Sequence, residues 1–327
     1  MKVLLTGANG FVGSHILDSL WRKSIPAAIL LRPGAGTGFI KEHIPHVEVR
    51  TGSIDDAKSL EAALHDVTHV LHGAGRTKAL HPAEYFETNQ FGTRRVVEAV
   101  NRRGGQIQRL VHISSLAAGG PAIPGRPVVE EDPPRPVSPY GESKLAGERE
   151  ITSGCKTDFV ILRPPAVYGP RDGEFLRLFQ ATKAHLSPRF GGGKQLLSLV
   201  FVRDLAEAAV ECLTCPLTTP RVFYAACREI VTALDLAREI ARQMQTWTIP
   251  LSLPTQALWP VCCLQEFVSN ATGKANVLNR AKYAELREPA WVCGPSRLAR
   301  ELGITCPTQL HEGVRETLLW YRAKKWL

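Results

Sequence analysis

Residues 138–148 read SPYGESKLAGE and set Tyr140 and Lys144 four positions apart, one helical turn on one face. A phenol and an ammonium so placed could move a proton. A free phenol ionises near pH ~10, so service as a base near neutrality needs its pKa lowered by roughly 2–3 units, about 3–4 kcal/mol in favour of the phenolate. A lysine within reach supplies positive charge of the required sign. Taken alone, the pair reads equally well as an exposed helix contact. What decides is whether other elements bring a binding site to it.

The first half of the chain has the elements to do so. KVLLTG (2–7), AAILLR (27–32), HVEVRTG (46–52), HVLHGAG (69–75), RLVHISS (109–115) and FVILRPPAVYG (159–169) read as buried strands. Between them, 11–23, 56–66 and 89–103 carry apolar residues at helical spacing, with Val12, Ile16, Leu17 and Leu20 as one stripe. Strands and helices alternating in this way predict an α/β fold, a doubly wound parallel sheet of the Rossmann type.

Gly7, Gly10 and Gly13 fall directly between the first strand and the first helix, in LLTGANGFVGSHIL. A tight turn that lets backbone approach a pyrophosphate, with first-turn amides facing the anion, needs glycines at such places. Arg32 follows the second strand, where an acidic residue would bond ribose hydroxyls; a guanidinium suits a 2′-phosphate instead. NADP is therefore expected in preference to NAD. Ser53 stands where a group near the adenine is wanted. The GAG at 73–75 would let backbone approach the nicotinamide half, with His72 a structural neighbour.

After about residue 170 the alternation breaks. Segments 173–186, 203–215, 232–246, 295–303 and 310–327 read as helices, and 189–202 as a glycine turn running into a strand. The expected division is a dinucleotide-binding domain over 1–170 and a smaller, mostly helical substrate lobe over 171–327, with 195–230 returning to the core.

Composition narrows the function class. The 327 residues are 44% hydrophobic and 22% charged, ordinary for a globular protein. The net charge of +9 is scattered, without a basic run interleaved with aromatics, so nucleic acid is not an expected partner. Attraction of a phosphorylated cofactor explains it more simply. Of eight cysteines only Cys212 and Cys215 form a CxxC, with no second pair to complete a zinc site; structural thiols and no metal are expected. No signal-peptide pattern and no uninterrupted apolar run of spanning length is present, which predicts a cytoplasmic protein with no integral membrane segment.

Several of these motifs in this order resemble the extended short-chain dehydrogenase/reductase family, which includes NAD(P)-dependent sugar epimerases and dehydratases, dihydroflavonol-type reductases and hydroxysteroid dehydrogenases. TGANGFVG at 6–13 is similar to its nucleotide turn and YGESK at 140–144 to its YxxxK motif; VHISSLAAGG at 111–120 resembles the strand carrying a catalytic Ser or Thr. NQFGT at 89–93 and RPPAVYGP at 163–170 resemble two further motifs. The resemblance implies Ser115, Tyr140 and Lys144 as the catalytic set, with Lys144 also holding the nicotinamide ribose. It implies cofactor contacts from Thr6, Gly7, Asn9, Gly10, Phe11, Val12, Gly13, Arg32, Ser53, Ile54, Gly73, Ala74, Gly75, Asn89, Ile113, Tyr140, Lys144, Pro164 and Val167. Asn89 reads equally as a helix cap, and Arg163 either reaches the cofactor or pairs with a carboxylate. A homodimer through the helices at 89–103 and 140–151 is also implied.

For a small-molecule substrate, the region before SLVFV lacks an arginine that would hold a diphosphate, and 247–264 is apolar. That segment could line an apolar pocket, form a lipid-facing lip or simply pack in the core. The proline-rich stretch 121–138 is placed to cover substrate. The expectation is hydride transfer between a nicotinamide and a carbonyl or secondary alcohol of a fairly apolar substrate. A nucleotide-sugar epimerase or dehydratase is the alternative, kept open by Arg171, Arg189 and Arg297; Leu116 after Ser115 argues against dehydration. A non-catalytic cofactor-sensing protein is the third reading.

Overall fold

A computed structural model describes residues 1–123, 125–216, 221–272 and 280–327. Short apolar runs become buried parallel strands, and amphipathic segments become the helices that cover them. In the first half these are β1 (Val3–Thr6), α1 (Phe11–Arg22), β2 (Ala27–Leu31), β3 (Glu48–Thr51), α2 (Ala57–Ala63), β4 (His69–His72), α3 (Pro82–Phe86), α4 (Thr93–Arg102), β5 (Arg109–Ile113), α5 (Leu116–Gly119), α6 (Pro139–Gly154) and β6 (Phe159–Arg163). The helix expected over 89–103 is in two parts: Glu87–Gly92 winds as a wider π-helical turn before α4 begins.

The strand expected over 159–169 also divides. Pro164 and Pro165 have no N–H to give a ladder, and the chain leaves the large sheet there. β7 (Ala166–Tyr168) joins a second sheet. The remainder comprises α7 (Leu176–Lys183), β8 (Leu186–Phe190), β9 (Leu196–Phe201), α8 (Val202–Glu211), β10 (Arg221–Tyr224), β11 (Ile230–Thr232), α9 (Ala233–Gln243), β12 (Ile249–Leu253), α10 (Leu258–Thr272), α11 (Arg280–Leu286), β13 (Ala290–Trp291), α12 (Ser296–Leu302) and α13 (Leu310–Ala323).

The large sheet is parallel throughout, ordered β10-β6-β5-β4-β1-β2-β3. Its order reverses between β1 and β4, which opens a crevice at their carboxyl ends. Of residues 195–230, α8 and β10 return to this core. Leu205, Ala209 and Phe223 are fully buried with Ile16 and Leu20 of α1. β9 instead lies between β7, β11 and β13. The lobe is mostly helical, with this small sheet and the pair β8–β12 added.

None of the described residues of the proline-rich stretch 121–138 lines the cleft. Ala122 and Val128 donate their N–H groups to the carbonyls of Ala290 and Val292, and Gly294 donates back to Val128. The stretch therefore staples the first half to the lobe. Among the described residues no helix is long and apolar enough to cross a membrane, and no group of His, Cys, Asp or Glu is placed to hold a metal ion.

Candidate active site

The turn between β1 and α1 is shaped by glycines at two places. Gly7 sits at φ +76°, and a Cβ there would lie 2.7 Å from the amide nitrogen of Ala74. A Cβ on Gly13 would collide with the Gly7 carbonyl, so the helix can start this close to the strand only without one. Gly10 caps α1, no side chain caps it, and its first turn holds no acid. The free amides and the helix dipole suit a pyrophosphate. Asn9 donates to the Gly36 carbonyl and ties the turn to the loop after β2. At the start of that loop Arg32 is exposed and, among the described residues, has no carboxylate partner. Ser53 hydrogen-bonds Asp55, and Ile54 is buried under Gly92.

Thr6 turns inward. Its hydroxyl bonds His72 Nδ1 at 2.7 Å and accepts from the Ala74 amide at 3.2 Å. His72 Nε2 meets Thr93 at 3.1 Å, and Thr93 donates to the Asn89 carbonyl. Burial, with the Lys144 charge second, pushes His72 down to about 3, so it is a neutral strut. Asn89 is not a helix cap. It lies within the π-helical turn, accepts from the Arg76 amide at 2.8 Å and donates to the Arg76 carbonyl and to Ser143. It clamps the glycine loop 73–75 onto α6 beside Lys144.

β5 and α6 deliver the reactive groups. Ser115 lies two residues past β5, caps α5 by accepting from the Ala117 amide, and stands close enough to Tyr140 to pull its phenol pKa down. Tyr140 and Lys144 both line the cleft. Lys144 is buried and donates from Nζ to the Ile113 carbonyl at 2.7 Å. Burial lowers its pKa to about 8, against a smaller upward pull from Glu148. Burial also pushes the Tyr140 phenol up to about 12, partly opposed by Ser115. The depression needed for a base is thus not produced by this chain's groups; the phenol is held in its acid form.

Arg163 pairs with a carboxylate. Its Nε and Nη2 fork onto Glu148 at 2.9 and 2.6 Å, Nη1 reaches the Tyr224 hydroxyl, and Ser114 donates to the same Glu148. This buried network lies directly beneath Ser115 and one turn beyond Lys144.

The cleft measures about 520 Å³, within the range of small-molecule sites. Of the residues singled out in the sequence, Phe11, Val12, Gly73, Gly75, Asn89, Ile113, Ser115, Tyr140, Lys144, Pro164 and Val167 line it; Thr6, Gly7, Asn9, Gly10, Gly13, Arg32, Ser53, Ile54 and Ala74 do not. The opposite wall was not read in advance: Asp172, Phe175, Gln195, Leu197, Lys282, Glu285, Leu286 and Trp291. These belong to no motif, and their only signal is position in a lobe whose packing the sequence leaves open. Lys282 bonds Glu285 at 2.6 Å, and Arg76 pairs with Glu84. Arg171, Arg189 and Arg297 are not among the lining residues, nor is any described residue of 247–264.

The pattern of the NAD dependent epimerase/dehydratase family matches residues 3–224. A ceramide reductase of Caulobacter vibrioides is 28% identical over 326 residues, covering 99% of this chain and 96% of that protein. A UDP-glucose 4-epimerase of Vibrio cholerae is 27% identical, covering 97% and 94%. Among solved structures, the UDP-glucose 4-epimerase of Thermus thermophilus in complex with NAD superposes with a TM-score of 0.78 at 24% identity, covering 98% and 99%; it shares the fold.

Proposed function

The chain belongs to the NAD dependent epimerase/dehydratase family, a branch of the extended short-chain dehydrogenase/reductases, and from that premise we propose that it reduces a carbonyl group on a fairly apolar small molecule at the expense of NADPH. Residues 1–170 serve as the cofactor domain and 171–327 as the substrate lobe. The observation that carries the reading is the Tyr140 phenol beside Ser115 and Lys144 at the edge of a cleft whose walls include Phe11, Leu197, Leu286 and Trp291.

The nicotinamide, when bound, supplies the hydride. Tyr140 donates the proton to the carbonyl oxygen as negative charge builds there, and Ser115 donates a hydrogen bond to the same oxygen. Lys144, charged below about pH 8, stabilises the phenolate that Tyr140 becomes. Gly7 and Gly13 admit the pyrophosphate to the first turn of α1, and Arg32 takes the 2′-phosphate. A cofactor titration checks the last role: Arg32→Glu should weaken NADPH by roughly ten-fold or more, from lost attraction and added repulsion, while leaving NADH nearly unchanged.

The epimerase reading is less well supported by the opposite wall. A nucleotide-sugar diphosphate carries negative charges, yet Lys282 and Arg76 in the cleft already have carboxylate partners. The similarity to a ceramide reductase supports an apolar substrate. The outer face of α4 and α6 is the proposed homodimer contact, measurable by light scattering. The deciding experiment incubates the purified protein with NADPH and long-chain ketones and follows both. Stoichiometric NADPH oxidation with alcohol formation supports the reading. Tightly retained NAD with sugar-nucleotide epimerisation and no net turnover overturns it.

A further inference from the structure

Helix α10 is apolar outside as well as inside. Its inward positions include Leu258, Cys262 and Ser269, while its outward positions include Trp259, Pro260, Val261, Leu264, Phe267 and Val268. Phe267 is 72% exposed and Leu264 63%. A helix facing water carries polar residues on its outer face. The segment before the helix is exposed and apolar too. Trp247, Ile249 and Leu251 are exposed, and Leu186 joins them through the β8–β12 pairing, opposite Ile249. Elsewhere exposed large apolar residues are scattered, which is ordinary; here eight fall within residues 247–268.

Residues 247–272 contain one charged side chain, Glu266, which is tied to Arg280. Two exposed cations lie near the ends of the paired strands: Lys183 ends α7 just before β8, and Lys194 follows the glycine turn whose Gly191 meets Thr255. Neither lysine has a carboxylate partner among the described residues. His185 stacks on Trp247 at 4.2 Å. An apolar face with tryptophans and unpaired cations near it fits an anionic lipid surface. A two-fold contact between copies would instead bring both sets of unpaired cations to one interface. With 15 residues, α10 is about 22 Å long, too short for a hydrocarbon core of ~30 Å, so it would lie in the interface rather than span it.

We propose that β12 and α10 dock the protein on anionic lipid bilayers. The surface is also the outside of the cleft. Trp259 packs edge-on against Tyr283 of α11 at 5.2 Å, and Lys282, Glu285 and Leu286 of that helix line the cleft. Docking through α10 therefore presents the lobe wall of the cleft to the membrane. That an apolar substrate arrives from the bilayer rests on the reductase reading; the docking itself does not.

The test is flotation of the full chain, without cofactor or substrate, with vesicles of equal parts phosphatidylcholine and phosphatidylglycerol, and with pure phosphatidylcholine. Flotation with the anionic vesicles and much less with the neutral ones is expected. Leu264→Glu/Phe267→Glu should reduce bound protein on the order of ten-fold or more, with thermal melting and NADPH affinity unchanged because both side chains face outward. Lys183→Glu/Lys194→Glu should weaken binding to the anionic vesicles alone. Absence of flotation by a folded, NADPH-binding protein overturns the proposal. So does a dimer in light scattering that the Leu264→Glu/Phe267→Glu variant dissociates, which would make a second copy the occupant. A protein that floats but reduces no carbonyl compound refutes the reductase reading and leaves docking in place.

Discussion

On one side of the cleft, Ser115, Tyr140 and Lys144 hang from β5 and α6, braced by Asn89, Glu148 and Arg163. On the other side, Leu197, Leu286 and Trp291 come from β9, α11 and β13, with Gln195 just before β9, short elements separated by long stretches of chain. The first wall is a hydrogen-bonded stack of polar groups, most of them buried. The second mixes apolar side chains with a few polar ones, and its one lysine is neutralised by Glu285. A reaction needs donors held within tenths of an ångström, and buried hydrogen bonds supply that. Shape recognition of an apolar molecule needs less, and packing suffices. The two walls should therefore fail differently when changed.

The largest effect is expected at the proton. Tyr140→Phe should lower kcat by roughly a thousand-fold while leaving NADPH affinity in fluorescence titration unaltered. Equal losses in both would place Tyr140 in binding rather than chemistry. Next comes the brace. Glu148→Ala leaves the Arg163 guanidinium buried and unpaired, which should cost roughly 3–5 kcal/mol in denaturant unfolding. The double variant Glu148→Ala/Arg163→Leu should recover part of that loss, because it removes the stranded charge.

Acidity gives a third, smaller effect. Lys144 titrates at about 8 and Tyr140 at about 12. As pH rises through 8 the lysine loses its charge while the phenol keeps its proton, so kcat/KM for reduction should fall above about pH 8. Lys144→Arg should move that falling limb upward, since a guanidinium stays charged. A limb that does not move would assign it to another group. The smallest effect is expected on the opposite wall. Leu286→Ala should raise KM by about ten-fold or less and leave kcat nearly unchanged, as removal of uniform apolar binding does.

Much of the first wall was legible because it is local. The GANGFVG turn, the YGESK helix and the Ser115 strand end each place their residues within one element, and the right-handed parallel topology then brings those elements to one edge. Asn89 was legible as a residue but not in its job. Only the π-helical turn aims its amide at Arg76 and Ser143 instead of at its own helix end. The Tyr140 phenol was expected to be drawn down by Lys144; burial instead pushes it up, and Lys144 turns its ammonium to the Ile113 carbonyl.

The sequence alone determined the alternation of strands and helices, the glycine turn and the spacing of Tyr140 to Lys144, because those depend on periodicities of a few residues. Tertiary structure decided what the apolar segment 247–264 does. Hydrophobicity says only that such a segment avoids water, and avoidance is satisfied equally by a core, a pocket or a membrane. Which face of α10 meets α11 and which is left outward depends on contacts between residues far apart in the chain, and the outward face carries large apolar side chains.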